Sequence, residues 1–184
     1  MMIVVLAGVS GSGKTAVGMV LAARLGWVFE DTDALHSPAD IAKMHSGVPL
    51  TDADRWPWLE TVAAWLDERI ATGTSAVVAC SVLKRSYRDF LSRGRPAVRI
   101  VMLQADAATL TARLIARRGH FFPAGLLQSQ LADLEMPDHD ERTLVVPTAH
   151  SPDETADEII RRLGLTPAPR GGLPWGPGQG RETA

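Results

Sequence analysis

Residues 8–15 read Gly8-Val9-Ser10-Gly11-Ser12-Gly13-Lys14-Thr15 and follow directly on the apolar run Ile3-Val4-Val5-Leu6-Ala7. The pattern G-x-x-x-x-G-K-[ST], after a buried strand and before a helix, is that of a phosphate-binding loop. Its glycines, Gly8, Gly11 and Gly13, let successive backbone N–H groups turn inward as an anion nest, with Ser10 and Ser12 between them. The helix that follows points its positive end at the phosphates. In that chemistry Lys14 reaches the β- and γ-phosphates and the Thr15 hydroxyl coordinates Mg²⁺. A plain Gly/Ser turn needs neither Lys-Thr at this spacing nor the flanking strand and helix. Chance gives the pattern in roughly one chain of this length in a hundred or fewer.

Outward from the loop, helical spacing runs from Lys14 through Val17, Leu21 and Leu25, with Gly26 as a stop. Trp27-Val28-Phe29 opens a second strand that ends in Glu30-Asp31-Thr32-Asp33. Strand, loop, helix and strand make a βαβ unit, so the sheet is parallel at its centre. Ligands of such sheets bind beyond the carboxyl ends of the strands, which brings Asp31 and Asp33 to the loop. Their spacing of two predicts that both side chains share one side of an extended segment. A short helix is expected from Pro38 to the stop at Gly47, and a longer one from Thr51-Asp52-Ala53-Asp54 to Gly73. Trp56, Trp58 and Trp65 on that helix read as packing residues rather than a stacking platform. Ser75–Ser81, Val98–Leu103 and Thr143–Val146 supply strands three to five, with a helix through Lys84, Arg85 and Arg88 after the third. Asp106 leads into another helix, then an amphipathic piece runs through Leu126, Leu127, Gln130 and Leu134, and Asp153–Leu163 forms a closing helix.

The 184 residues suit one kinase-sized domain over 1–165, with a Gly/Pro-rich tail over 166–184 too poor in aliphatic residues to offset its ordering entropy. A net charge of −2 argues against a general nucleic-acid or membrane-surface binder. Cys80 is the only cysteine, the N-terminus lacks a basic leader region, and no apolar run approaches membrane-spanning length. A soluble cytoplasmic protein is expected.

Phosphoryl transfer to a hydroxyl also needs a group to orient or deprotonate the nucleophile, cations for the spreading charge, and exclusion of water. Asp33 is the candidate base, with helix capping as its alternative role. Arg113 and Arg117 are four apart on one helix face, just before a Gly-containing segment that can close as a lid over about 117–135. Arg55, Lys84 and Arg88 belong to the same sheet edge and suit an acidic acceptor, although each alone reads as a surface charge. His36 and His120 can donate to a polyol or stand solvated. No Cys/His group has zinc spacing, so metal is expected only as Mg²⁺ with the nucleotide.

These residues resemble a known family. Ala79-Cys80-Ser81 through Leu83-Lys84, Tyr87-Arg88 and Asp89 is similar to a stretch of the bacterial-type gluconokinases, as are Leu35-His36, Lys43-Met44 with Gly47, and Asp52 to Arg55 with Pro57-Trp58-Leu59. So are Gly119-His120-Phe121-Phe122, Ser129-Gln130 with Leu134-Glu135, and Pro137 with Asp140-Glu141, in order from about Met2 to Leu163. The resemblance implies a P-loop three-layer fold, a five-stranded parallel sheet flanked by helices with a helical lid. It implies transfer from ATP to D-gluconate, giving 6-phospho-D-gluconate, commonly in a homodimer. On that reading Asp33 acts at the 6-hydroxyl, and Lys14 with Arg113 or Arg117 serves the phosphates. His36, Arg55, Lys84, Arg88, His120 and Gln130 hold the sugar acid. Thr32 stands where the family often has Gly, and Asp40 where it has Asn. A shikimate kinase, which Gly26–Phe29 with Asp31-Thr32-Asp33 also resembles, and a non-catalytic nucleotide-binding regulator are the alternatives.

Overall fold

The structure is a computed structural model that describes residues 1–116 and 124–169. Five strands form one parallel sheet: β1 (Ile3–Ala7), β2 (Val28–Asp31), β3 (Ala76–Ala79), β4 (Val98–Gln104) and β5 (Leu144–Pro147), ordered β2-β3-β1-β4-β5. Val5 pairs with Val78 on one side and Ile100 on the other, so the loop after β1 emerges at the centre of the sheet.

Because side chains alternate along a strand, β1 feeds two cores. Ile3, Val5 and Ala7 pack with helices α3 (Asp52–Ala71) and α4 (Arg85–Ser92), through Leu59, Leu66, Tyr87 and Leu91. Val4 and Leu6 pack on the opposite face with α1 (Lys14–Leu25) and α7 (Pro152–Leu163), through Val17, Leu21, Ala156 and Ile159. The sheet is thus sandwiched between helices, which is the expected architecture. A third cluster of Val9, Leu83 and Leu110, joined by Leu127 and Leu134, lies at the strand ends beside the phosphate loop. It seats α6 (Ala124–Asp133) against that loop and against α5 (Ala107–Ala116).

Local chemistry sets the element ends. Thr51 and Asp54 form a reciprocal capping box at α3, and Ser151 with Glu154 does the same at α7, each worth about 1 kcal/mol. Helix α2 (Pro38–His45) begins at Ser37, whose hydroxyl accepts from Asp40 N–H and donates to the Asp40 carboxylate at 2.7 Å. The Asp40 departure from the family pattern is therefore part of a cap. Thr32 is equally absorbed: it is buried, and its hydroxyl donates to the Ala79 carbonyl at 2.9 Å, tying β2 to β3.

The second strand stops at Asp31, and Thr32–Leu35 form a short 3-10 helix, so Asp31 and Asp33 do not share one side of an extended segment. The cause is local: the Asp31 carboxylate accepts from the Asp33 N–H at 3.2 Å, a side-chain turn that competes with the sheet ladder. Of the expected tail, residues 170–184 lie outside the described residues. Its first part lies against α1, where Ala168 N–H donates to the Arg24 carbonyl at 2.8 Å.

Candidate active site

The phosphate loop is built by backbone that only glycine adopts easily. Gly13 caps α1 at φ 101°, which turns the first helical N–H groups toward the loop. Gly8 sits at φ 136°, and a Cβ there would lie 2.8 Å from both the Leu103 carbonyl and the Ser12 hydroxyl. The strand end and the loop are thus pressed together with no room for a side chain. Lys14 Nζ folds over the loop and donates to the Gly8 and Val9 carbonyls at 2.9 and 3.2 Å.

Thr15 Oγ1 donates to Asp31 Oδ2 at 2.8 Å. A hydroxyl and a carboxylate oxygen side by side at the helix N-terminus are a hard-oxygen donor set, which fits Mg²⁺. Among the described residues no group of three or more His, Cys, Asp or Glu is placed to hold a metal by itself. Arg113 reaches across from α5. Its Nη1 lies 3.4 Å from the Ser12 carbonyl and 3.2 Å from Thr148 Oγ1, so it spans the loop and the end of β5. Gln130 of α6 accepts from Ser10 N–H at 2.7 Å, which puts it on the phosphate loop rather than among the acceptor-side cations.

Beside the loop lies a second group of residues. Trp58 Nε1 donates to the Thr32 carbonyl at 2.9 Å, fixing the 3-10 helix that carries Asp33. The His36 ring stacks on Trp58, 4.4 Å between centroids and 8° from parallel. Burial lowers the His36 pKa below its ordinary value despite the nearby charges of Asp33 and Asp40, so the ring is neutral at pH 7. Arg55, only 8 % exposed, donates from Nε to the Leu50 carbonyl and turns Nη2 to Asp133, 3.7 Å away. Lys84 Nζ is 2.7 Å from Asp52 and 3.7 Å from the other oxygen of Asp133. The hydrogen bond to Asp52 holds the Lys84 ammonium above its ordinary pKa. Tyr87 donates to the same Asp52 oxygen at 2.5 Å. Cys80 follows β3 directly, and its N–H donates to the Leu6 carbonyl at 3.0 Å, which sets the end of β3 beside the strand that leads into the phosphate loop.

Arg88 stands apart from this group. It is 1 % exposed and binds both oxygens of Glu141, at 2.7 and 2.8 Å. Its Nη1 donates to the Leu83 and Glu135 carbonyls. Four of its five N–H groups are therefore spent inside the protein. Arg88 pins the segment after α6 to α4, and this structure gives it no exposed donor for a sugar acid. Arg117 and His120 lie outside the described residues.

Residues 3–137 match the family described as AAA domain, to which the chain belongs. It is also 49% identical over 159 residues to the gluconokinase of Gluconobacter oxydans, a match covering 86% of this chain and 89% of that one. The chain belongs to the gluconokinase family. A gluconokinase structure from Sinorhizobium meliloti 1021 superposes with a TM-score of 0.77 at 43% identity, covering 88% of this chain and 93% of that one. An unliganded sugar kinase from Janibacter sp. HTCC2649 gives 0.84 at 44% identity, covering 90% and 95%.

Within this gluconokinase-family site, Asp52, Tyr87, Asp133 and Thr148 hold the expected site residues, and sequence reasoning passed over all four as partners. Two carried a signal, Asp52 as an acidic residue of the α3 N-terminus and Tyr87 as part of the family-like stretch. The others bind groups 35 or more positions away and leave no periodic trace.

Proposed function

We propose that this chain transfers the γ-phosphoryl group of ATP to the 6-hydroxyl of D-gluconate, giving ADP and 6-phospho-D-gluconate. The observation that carries the reading is the neighbourhood of a phosphate loop, a carboxylate and two cations, Arg55 and Lys84, in a gluconokinase-family chain.

The roles follow from the chemistry of each group. Asp33 accepts the proton of the 6-hydroxyl as its oxygen bonds to the γ-phosphorus. The bond from that phosphorus to the β–γ bridging oxygen breaks, and ADP leaves with the electron pair. Lys14 leaves its carbonyl partners for the phosphates, and Gly8 to Thr15 present N–H groups to them. Arg113, with Arg117 from the stretch beyond α5, balances the charge of the moving phosphoryl. Thr15, supported by Asp31, would hold Mg²⁺, and that ion supplies neutralisation of the phosphate oxygens when bound. Arg55 and Lys84 bind the gluconate carboxylate, while His36, neutral at pH 7, and His120 serve its hydroxyls. Gln130 adds a hydrogen-bonding side chain from α6. Homodimeric assembly and a cytoplasmic location belong to the same reading, and no nucleic-acid or membrane partner does. No helix among the described residues is long and apolar enough to cross a membrane.

ADP release with Mg²⁺-ATP tests this against D-gluconate, shikimate and no acceptor. Turnover with gluconate alone is expected, and turnover with shikimate in its place overturns the proposal. Asp33→Asn should retain ATP binding and lose roughly 10²–10⁴-fold in turnover, the usual contribution of a positioned base. Near-normal turnover in that variant removes Asp33 from the reaction.

A further inference from the structure

Helix α6 carries two oxygen acceptors three residues apart, hence on one face, and each points at a different subsite. Gln130 Oε1 takes the Ser10 N–H of the phosphate loop at 2.7 Å. One turn on, the two oxygens of Asp133 divide between two cations, Oδ2 3.7 Å from Arg55 Nη2 and Oδ1 3.7 Å from Lys84 Nζ. The Arg55 side chain is 9% exposed and that of Asp133 30%, so the carboxylate is the more exposed partner of a nearly buried guanidinium. Apolar packing of Leu127 and Leu134 against Val9, Leu83 and Leu110 keeps the helix there.

Two features of this contact matter. A carboxylate whose oxygens each face a separate cation has the arrangement a free organic acid takes between Arg and Lys. At 3.7 Å the contacts are ion pairs and not hydrogen bonds, so the N–H groups of Arg55 and Lys84 that face Asp133 remain weakly committed. An incoming carboxylate that donates its oxygens at hydrogen-bond distance makes the stronger contact and can replace Asp133. A neutral polyol cannot, because it leaves Asp133 in possession of the cations.

We infer that Asp133 is a specificity-determining residue: its carboxylate holds the place of the acceptor's carboxylate until an anionic acceptor displaces it. The site thereby admits sugar acids over neutral sugars, and the cost is weaker binding of the acid itself. The inference rests on the assignment of Arg55 and Lys84 to gluconate.

The test is steady-state kinetics of the full chain with Mg²⁺-ATP and D-gluconate or D-glucitol, the neutral polyol of the same length. Asp133→Asn keeps the shape and removes the charge. Its KM for gluconate should fall roughly three- to tenfold, the scale of a partly exposed ion-pair competitor, with kcat and the KM for ATP held. Glucitol, which cannot displace the parent carboxylate, should gain more in kcat/KM than gluconate does, so discrimination in favour of the acid narrows, and a ratio that holds or widens overturns the specificity role. Asp133→Ala should repeat the fall in KM, which separates charge from shape. An unchanged or raised gluconate KM in Asp133→Asn overturns the inference, because Asp133 then either does not compete, helps to bind the acid, or merely orders Arg55 and Lys84. Lys84→Gln, made at a side chain 23% exposed, checks the underlying assignment. If it leaves the gluconate KM unmoved in both backgrounds, the assignment fails. If it raises KM while Asp133→Asn does not lower it, only the role of Asp133 fails.

Discussion

Replacing Arg88 by Met separates a strut from a substrate ligand. The guanidinium binds both oxygens of Glu141 and the carbonyls of Leu83 and Glu135, with side-chain exposures of 1% for Arg88 and 4% for Glu141. Met keeps the aliphatic stem and deletes the charge, leaving a buried carboxylate and two carbonyls without donors. Breaking a buried pair by removing one partner costs about 3–5 kcal/mol. That is a large part of the roughly 5–15 kcal/mol that holds a domain folded. For a domain of this size it lowers Tm by about 6–20 °C. The sequence holds five tryptophans, so guanidinium unfolding followed by tryptophan fluorescence reads the loss directly. Glu141→Leu in the same chain should restore most of it, because the stranded charge is then gone. At a temperature where Arg88→Met is folded, its KM for gluconate should stay within about threefold of the parent, since no uniform binding has been removed. A stability loss under about 1 kcal/mol with KM raised a hundredfold or more would refute this, because it would place the guanidinium on the substrate.

Three further outcomes follow from single residues. Gly8→Ala sets a Cβ 2.8 Å from the Leu103 carbonyl at φ 136°, so it should cost about 1–3 kcal/mol and weaken ATP binding measured by calorimetry. Retained affinity with parent stability would show that the loop can relax. Burial pushes the Cys80 thiol up to about 12, so an aromatic disulfide reagent at pH 8 should label it only after denaturant is added. Fast labelling of the folded chain would contradict that burial. His36 is held below its ordinary 6.5 by burial, so below pH 6.5 the unfolded chain takes up more protons at this site than the folded one. Stability therefore rises with pH through that window and is lost as pH falls from 7 toward 5. His36→Gln should flatten that part of the curve, and an unchanged slope would assign it to other groups.

What the sequence disclosed, and what it withheld, divides by range of interaction. The phosphate loop, α1 with its glycine cap and the Thr51–Asp54 box are set by groups within a few positions of one another, so pattern alone finds them. Asp33 is the intermediate case. Asp-Thr-Asp reads as the alternating end of a strand, yet the first carboxylate captures the N–H two residues on and turns the chain. The competing principle was local side-chain capture, available in the same three letters. Arg88 and Gln130 show the other limit. Each sits on a helix whose face is legible, but what that face meets is Glu141 in one case and Ser10, 120 positions away, in the other. A single sequence carries no pairing information at that range, and a positive charge near a sheet edge looks the same whether its partner is a ligand or a buried carboxylate. Contact distance decides between the two: Arg88 spends four N–H groups at hydrogen-bond distance inside the fold, whereas Arg55 and Lys84 face the Asp133 carboxylate at 3.7 Å, an ion-pair distance at which a better carboxylate can replace it.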